Sequence, residues 1–180
     1  FDGDGDRVGV VTPQGDVVFP DRLMMLFARD LLTRDPGATI LYDVKCTRHL
    51  PRVIAEAGGN PVMCRTGHSL VKAEMKARKA ALAGEMSGHI FFGERWYGFD
   101  DGLYGACRLL EIISKDSRPV QQIFDDLPDA VNTPELHIEM AEGEPHALVP
   151  KLIAAAEFAG AEVSTLDGIR VDFADGFGLA

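Results

Sequence analysis

Three carboxylates alternate with glycines near the start of the chain, and an arginine follows them. They are Asp2, Asp4 and Asp6, with Arg7 next. Because side chains at alternate positions of an extended backbone point the same way, the three carboxylates can converge on one point. There they would repel one another, and a hard divalent cation such as Mg²⁺ or Ca²⁺ relieves that repulsion. Arg7 beside such a cation indicates that an anionic group, such as a phosphate, also binds there.

An EF-hand calcium loop begins with the same alternation of aspartates, but its pattern requires more. It needs glycine at its sixth position and glutamate at its twelfth. Counted from Asp2, these positions hold Arg7 and Pro13, so the EF-hand interpretation fails twice. A solvated acidic turn is the remaining structural alternative. We therefore expect a Mg²⁺ site at these aspartates, in contact with phosphate.

A second polar cluster lies near the middle of the chain, where Glu85, Ser87 and His89 occupy alternate positions. The alternation places all three on one face of an extended segment. Carboxylate and hydroxyl groups so placed can hydrogen-bond a pair of sugar hydroxyls, and the flanking glycines let a ligand approach the backbone closely. The pattern favours a site for a vicinal diol, as on a sugar ring. An ordinary polar turn fits it equally well.

Two further polar residues, Lys45 and His68, lie where predicted strands give way to helices. Lys45 is either a cation for phosphate or a proton-transfer group, or else a solvated surface lysine. His68 is either a ligand for an anion at a helix N-terminus or a polar loop residue. Ser69 is expected to cap the helix after His68, so this serine needs no catalytic explanation.

Alternating strands and helices must position these residues. Apolar periodicity and turn residues predict strands at 8–11, 17–19, 39–44 and 61–64, and a strand–loop–strand segment at 84–92. They predict a helix capped by Asp21 and ending before residue 35, and further helices at 47–57, 69–82, 101–114 and 120–127. This order is typical of an α/β domain with a mixed, largely parallel sheet flanked by helices. Ligands of such sheets gather at the loops after the carboxyl ends of the strands.

A boundary is expected near residues 127–129, where polar and proline-containing sequence begins. Beyond it the pattern predicts a strand at 135–140 and a helix at 146–159. Two more strands, 163–166 and 169–173, flank Asp167 and Gly168, which are a strong hairpin signal. The expected second part is a small α+β unit that is truncated.

Composition restricts the possible functions of the 180 residues. The net charge of −10 argues against non-specific nucleic-acid binding, which depends on positive charge. No apolar run reaches membrane-spanning length, so no membrane contact is expected. The three cysteines are odd in number and lack C-x-x-C spacing, which is typical of a reducing cytoplasm. Because the chain lacks an initial methionine and starts within its most functional loop, we expect a fragment.

Four motifs, in this order and spacing, resemble those of the α-D-phosphohexomutases, and most closely the bacterial phosphomannomutase/phosphoglucomutase group. The motifs are F-D-G-D-G-D-R, D-V-K-C-T, T-G-H-S and G-E-M-S-G-H. The resemblance covers essentially the whole chain. It implies residues 1–16 as the end of domain 2, residues 17–128 as domain 3 and residues 129–180 as the start of domain 4. Family members interconvert hexose 1-phosphates and 6-phosphates through a bisphosphorylated sugar and an active-site phosphoserine.

The resemblance also implies roles for individual residues. Asp2, Asp4 and Asp6 resemble the three Mg²⁺ ligands of the family, and Arg7 the arginine near the transferred phosphoryl group. Glu85 and Ser87 resemble the pair that binds the sugar 3- and 4-hydroxyls, with His89 beside them. Lys45 and His68 resemble groups that line the reaction centre, with Lys45 the stronger candidate for general acid/base work.

Two family segments have no counterpart in the chain: the phosphoserine loop, T-A-S-H-N-P, and the phosphate-binding Arg-x-Ser-Asn-Thr loop of domain 4. The resemblance therefore implies hexose phosphate and the missing domains of the same enzyme as partners, and an isolated fragment without turnover. A non-catalytic module that binds metal or sugar phosphate by itself is the alternative. A Mg²⁺-dependent phosphatase is a third, weaker interpretation, because it needs its own nucleophilic aspartate.

Overall fold

The computed structural model describes every residue from Phe1 to Ala180. The chain forms two compact units, Phe1–Asp129 and Ala130–Ala180. The strands of the first unit are β1 (Val10–Val11), β2 (Val17–Val18), β3 (Thr39–Asp43), β4 (Asn60–Cys64), β5 (Leu82–Gly84) and β6 (Ile90–Phe92). Its helices are α1 (Pro20–Leu32), α2 (His49–Glu56), α3 (His68–Arg78), α4 (Gly102–Lys115) and α5 (Val120–Asp125).

A four-stranded sheet with the order β4-β3-β5-β6 is the centre of the first unit. Strand β3 pairs in parallel with both β4 and β5, whereas β6 runs antiparallel to β5. Strands β1 and β2 form a separate antiparallel pair that precedes α1. The mixed, largely parallel sheet expected from the sequence is therefore confirmed.

Side chains of this sheet alternate between two apolar cores because successive residues of a strand face opposite sides. Ile40 and Tyr42 of β3 belong to a core shared with α1, α2 and α4, whereas Leu41 belongs to a core shared with α3. Strand β6 divides in the same way, with Phe92 in the first core and Phe91 in the second. The sheet is thus the middle of three layers, with helices on both faces.

The parallel strands end together at one edge of the sheet. Asp43, the last residue of β3, pairs in register with Cys64, the last of β4, and Tyr42 pairs with Gly84, the last of β5. The segments 44–48, 65–67 and 85–89 therefore leave the sheet side by side. These segments, with the first residue of α3, hold five of the candidate site residues.

Two helix starts differ from the sequence-based expectation. The helix α3 begins at His68 with Gly67 as its N-cap, so the expected cap at Ser69 is wrong. Asp21 does not cap α1, because it lies in the first turn of that helix and is buried. Its carboxylate instead accepts a hydrogen bond from the backbone N–H of Thr47, at 2.8 Å. At both helix starts a contact with a distant segment, Gly67 with Glu85 and Asp21 with Thr47, takes the place of the expected side-chain cap.

The helix predicted at 69–82 is too long. Helix α3 ends at Arg78, and Lys79 takes a left-handed conformation with φ of 53°. The chain then re-enters the sheet, where Leu82 pairs with Ile40 of β3 and with Phe92 of β6. A buried place in the sheet overrides the helical preference of the alanine-rich segment before it.

The second unit consists of a helix, α6 (Glu144–Ala155), and three strands, β7 (Glu162–Ser164), β8 (Arg170–Asp172) and β9 (Phe177–Leu179). They form an antiparallel sheet in the order β7-β8-β9. The expected hairpin around Asp167 and Gly168 is confirmed, with a five-residue loop between Ser164 and Arg170. The strand expected at 135–140 is wrong, since this segment pairs with no other strand. In neither unit is any helix both long enough and apolar enough to cross a membrane.

Candidate functional site

The first candidate site is the loop that carries the three aspartates. One carboxylate oxygen each from Asp2, Asp4 and Asp6 lies within 4.8 Å of the other two. Gly5 gives the loop its turn, with φ of +78°, a conformation that glycine adopts without a steric penalty. The Asp2 Oδ1 atom accepts hydrogen bonds from the backbone N–H groups of Gly5 and Arg7, each at 3.2 Å. Local backbone contacts thus hold one of the three carboxylates in place.

A divalent cation fits this loop. The Oδ1 atom of Asp6 is buried and has no hydrogen-bond donor. A buried anionic oxygen without a partner is costly, and a cation bound among the three carboxylates removes that cost. Asp2, Asp4 and Asp6 supply only oxygen ligands, and such ligands suit Mg²⁺.

Arg7 pairs with one of these carboxylates. Its Nε atom donates to Asp2 Oδ2 at 2.5 Å, while the Arg7 side chain stays 47 % exposed. The hydrogen bond from Arg7 holds the pKa of Asp2 at about 2, below its usual value of 3.8. Asp2 is therefore ionised at neutral pH, in the form that binds a metal. The arginine lies at the loop and is accessible to an anionic ligand.

The aspartate loop packs against two other parts of the first unit. A Cβ atom on Gly102, the first residue of α4, would lie only 2.8 Å from the backbone oxygens of Gly5 and of Arg7. On its other side, Arg7 forms an antiparallel bridge with His89, and the N–H of Val8 donates to the oxygen of Gly88 at 3.3 Å. The start of α4 and the segment 85–89 therefore both fix the loop.

Glu85 is the most buried member of the second candidate site, with 1 % of its surface exposed. Its Oε1 atom accepts a hydrogen bond from the N–H of Gly67 at 2.5 Å, and its Oε2 atom lies 2.8 Å from His89 Nδ1. The hydroxyl of Ser87 lies 2.9 Å from the same ring nitrogen. His89 Nε2 lies 3.5 Å from Asp6 Oδ2. The structure thus joins the candidate sugar-binding residues to the aspartate loop through one histidine.

His68 and Lys45 lie at the same edge of the sheet. The ring of His68 stacks on that of His89, with centroids 5.7 Å apart. Lys45 lies in the turn that directly follows β3 and is partly buried. The structure therefore groups His68 with His89 and the aspartate loop, and it places Lys45 after the central strand.

Two residues that the sequence interpretation passed over also belong to this cluster. Asp100 lies 3.0 Å from His68 Nδ1 and accepts a hydrogen bond from Lys72 Nζ at 2.8 Å. Burial raises the pKa of Asp100, but the hydrogen bonds from Lys72 and His68 and the charge of Lys72 together outweigh it, and the net pKa is lowered. One carboxylate oxygen of Asp100 is also within 4.8 Å of ligand atoms of Asp6 and His89. In the sequence, only the pair Asp100–Asp101 just before a helix indicates this site residue, and the same pair is equally typical of a helix-capping turn.

Comparison with known proteins gives a consistent result. Residues 19–131 match the family model of phosphoglucomutase/phosphomannomutase, alpha/beta/alpha domain III. The chain is 55 % identical over 179 residues to a phosphomannomutase/phosphoglucomutase of Pseudomonas syringae pv. tomato, and it spans 99 % of its own length but 38 % of that protein. A crystal structure of a phosphoglucomutase/phosphomannomutase family protein from Burkholderia thailandensis matches the whole chain and 38 % of its own, with a TM-score of 0.93 and 57 % identity.

A more distant structure shares the fold. It is N-acetylphosphoglucosamine mutase of Aspergillus fumigatus in complex with GlcNAc-6P and magnesium. The match covers 94 % of this chain and 46 % of that one, with a TM-score of 0.54 and 15 % identity. The Pseudomonas and Burkholderia matches include the alternating aspartates, the buried Glu85 and the segments that form the β4-β3-β5-β6 sheet. By its family model and its relatives, the chain belongs to the phosphoglucomutase/phosphomannomutase family.

Proposed function

We propose that this chain is the metal-binding and sugar-binding part of a phosphohexomutase that interconverts hexose 1-phosphate and hexose 6-phosphate. The sugar is glucose, mannose or both. One observation carries the proposal: a cluster of three carboxylates, with an arginine, is joined through His89 to a buried glutamate that has a serine at its side. Family membership of residues 19–131 supports it.

The proposed reaction passes through a bisphosphorylated sugar and an active-site phosphoserine. Neither this serine nor the second phosphate-binding loop lies within the 180 residues. In the proposed arrangement residues 1–16 end domain 2, residues 17–128 form domain 3 and residues 129–180 begin domain 4. The other domains of the same enzyme are then required partners. The three cysteines are free thiols, which supports a cytoplasmic enzyme.

Asp2, Asp4 and Asp6 would hold the Mg²⁺ ion. When bound, Mg²⁺ supplies positive charge that stabilises the phosphoryl group during transfer. Arg7 adds a second positive charge beside the loop, and its guanidinium is suited to phosphate oxygens. The magnesium in the distant Aspergillus fumigatus structure supports this assignment at the level of the shared fold.

Glu85 would accept a hydrogen bond from one sugar hydroxyl, and Ser87 would donate to or accept from the neighbouring hydroxyl. Glu85 suits this role because the N–H of Gly67 already fixes its carboxylate, so little freedom is lost when a sugar binds. His89 lies between this pair and the aspartate loop. Lys45 and His68 would move protons to and from the sugar hydroxyls, with Lys45 as the principal acid/base group.

The test is a mutase assay on the complete gene product with glucose 1-phosphate and mannose 1-phosphate. We expect 6-phosphate products that require Mg²⁺ and disappear with a chelator. Asp4→Asn removes one carboxylate charge and should raise the Mg²⁺ concentration needed for half-maximal rate. Glu56→Gln on the exposed end of α2 is the matched control, which should leave that concentration unchanged.

Two results would contradict the proposal. The first is a complete gene product that binds Mg²⁺ and hexose phosphate but never converts it; this would favour the non-catalytic binding module. The second is an Asp4→Asn variant with the metal requirement of the wild type, which would remove the aspartate loop from the proposed metal site.

A further inference from the structure

A buried carboxylate lies at the end of the central strand, and the roles proposed above do not use it. Asp43 is the last residue of β3 and has 0 % of its surface exposed. A carboxylate without solvent is costly to bury unless it is hydrogen-bonded. Its burial must therefore be compensated by donors inside the protein, and the position of those donors shows what the carboxylate holds together.

Three hydrogen bonds compensate for the burial of Asp43. Its Oδ1 atom accepts from Cys46 Sγ at 3.1 Å and from the backbone N–H of Met86 at 3.3 Å. Its Oδ2 atom accepts from Thr66 Oγ1 at 3.2 Å. Each donor lies on a different segment, one after each of the three parallel strands. A single side chain thus joins three segments that are far apart in sequence.

These three segments carry the candidate site residues. Cys46 follows Lys45, Met86 follows Glu85, and Thr66 lies two residues before His68. Because a full hydrogen bond requires atoms within a few tenths of an ångström of their places, each donor restricts its neighbouring site residue.

Asp43 itself has no access to a ligand, since no part of its surface is exposed. It therefore cannot be a catalytic residue that touches the substrate. Its hydrogen bonds run only to the segments that surround the site, and none of them runs to the body of a helix.

We propose that Asp43 is a positioning residue that holds the three segments in register, so that Lys45, His68 and Glu85 face one site. This inference rests on the proposed function for its kinetic consequences but not for its geometry.

The test compares Asp43→Ala with Asp43→Asn in the complete gene product. Alanine removes all three acceptor contacts. Asparagine keeps them in an altered form: its oxygen can face Cys46 and Met86, and its amide can donate to the hydroxyl of Thr66, which also accepts. We expect alanine to lower kcat/KM on the order of 100-fold, as misplacement of reacting groups does. The asparagine variant should keep most of the wild-type kcat/KM.

Hydrogen exchange at the Met86 amide gives a readout that needs no enzyme activity. Its N–H donates to Asp43, so exchange should accelerate in Asp43→Ala and stay slow in Asp43→Asn. Leu31→Ala, in the core contributed by α1, is the control. It should lower thermal stability and leave kcat/KM unchanged, and it should accelerate exchange at core amides at least as much as at Met86, whereas Asp43→Ala should affect Met86 the most.

Several outcomes would overturn the inference. One is an Asp43→Ala variant with wild-type kcat/KM and wild-type protection of Met86. Another is an Asp43→Asn variant as impaired as alanine, because that would make the charge essential in place of the hydrogen bonds. If Asp43→Ala does not fold, Thr66→Val removes the hydroxyl that donates to Asp43, and unchanged kinetics in that variant would refute the inference. A wild-type protein without mutase activity would refute the proposed function, while Met86 exchange would still test the positioning.

Discussion

Gly102 offers a test of the aspartate loop that alters none of its ligands. This glycine begins α4, and the backbone oxygens of Gly5 and Arg7 come so close that a Cβ atom would lie 2.8 Å from each. Its φ is not in the left-handed region, so alanine at this position meets no backbone penalty of its own. Any loss of metal affinity in Gly102→Ala should then come from the displacement of the loop.

The structure gives the size of that displacement. Ordinary contact with a Cβ atom begins at 3.4 Å, so the loop must move by about 0.6 Å from its 2.8 Å approach. Metal–ligand distances in a good site stay within about 0.2 Å of their ideal values. A shift of this size disturbs the coordination, and changes just outside the ligand sphere typically cost about 10- to 100-fold in metal affinity. We expect Gly102→Ala to weaken Mg²⁺ binding by about the lower of these factors.

Isothermal titration with Mg²⁺ measures this loss directly, and Gly105→Ala is the matched control. Gly105 lies one turn further along the same helix, where a Cβ atom would meet only side-chain carbons at 3.6 and 3.9 Å. Alanine favours the helix at Gly105, in its interior, by about 1 kcal/mol, and by less at Gly102, where the helix begins; greater helix propensity therefore does not explain a loss of metal affinity at Gly102. Wild-type Mg²⁺ affinity in Gly102→Ala, or an equal loss in both variants, would refute the reasoning.

Three further predictions follow from single side chains. Glu85→Ala should raise KM for glucose and mannose phosphates, because the fixed acceptor is lost; unchanged steady-state kinetics would count against it. Arg108→Met, at a side chain 3 % exposed beside three carboxylates, should destabilise folding by about 3 kcal/mol in urea titrations, and a loss below about 1 kcal/mol would show a solvent-screened network. Cys107 is exposed while Cys46 and Cys64 are buried, and burial raises the pKa of Cys64 to about 12. Brief alkylation and peptide mapping should label Cys107 alone, and equal labelling of Cys64 would contradict this.

Spacing along the chain was enough to predict that the three aspartates come together. The alternation of Asp2, Asp4 and Asp6 predicts convergence, and their oxygens do converge. The strand–helix alternation likewise predicts the α/β sheet. In both cases the information is local, since side-chain direction follows from backbone geometry within a few residues.

Contacts between distant segments could not be predicted in this way. Ser69 has the composition of a helix cap, yet the helix starts earlier, where the N–H of Gly67 meets Glu85. The segment 135–140 alternates apolar and polar residues as a strand does, but Leu136 and Ile138 are mostly exposed and the segment has no strand partner. A strand depends on hydrogen bonds to a neighbour, and one sequence segment does not show whether that neighbour exists.

The bridge between Arg7 and His89 links the proposed metal site to the proposed sugar site, which lie far apart in sequence. Thermodynamic linkage then imposes a reciprocal relation on them. If bound cation strengthens the binding of hexose phosphate by some factor, bound hexose phosphate must strengthen the binding of the cation by the same factor. The affinity of either ligand is therefore defined only at a stated concentration of the other. A saturation curve for one ligand then reports an apparent affinity that depends on how much of the other is bound.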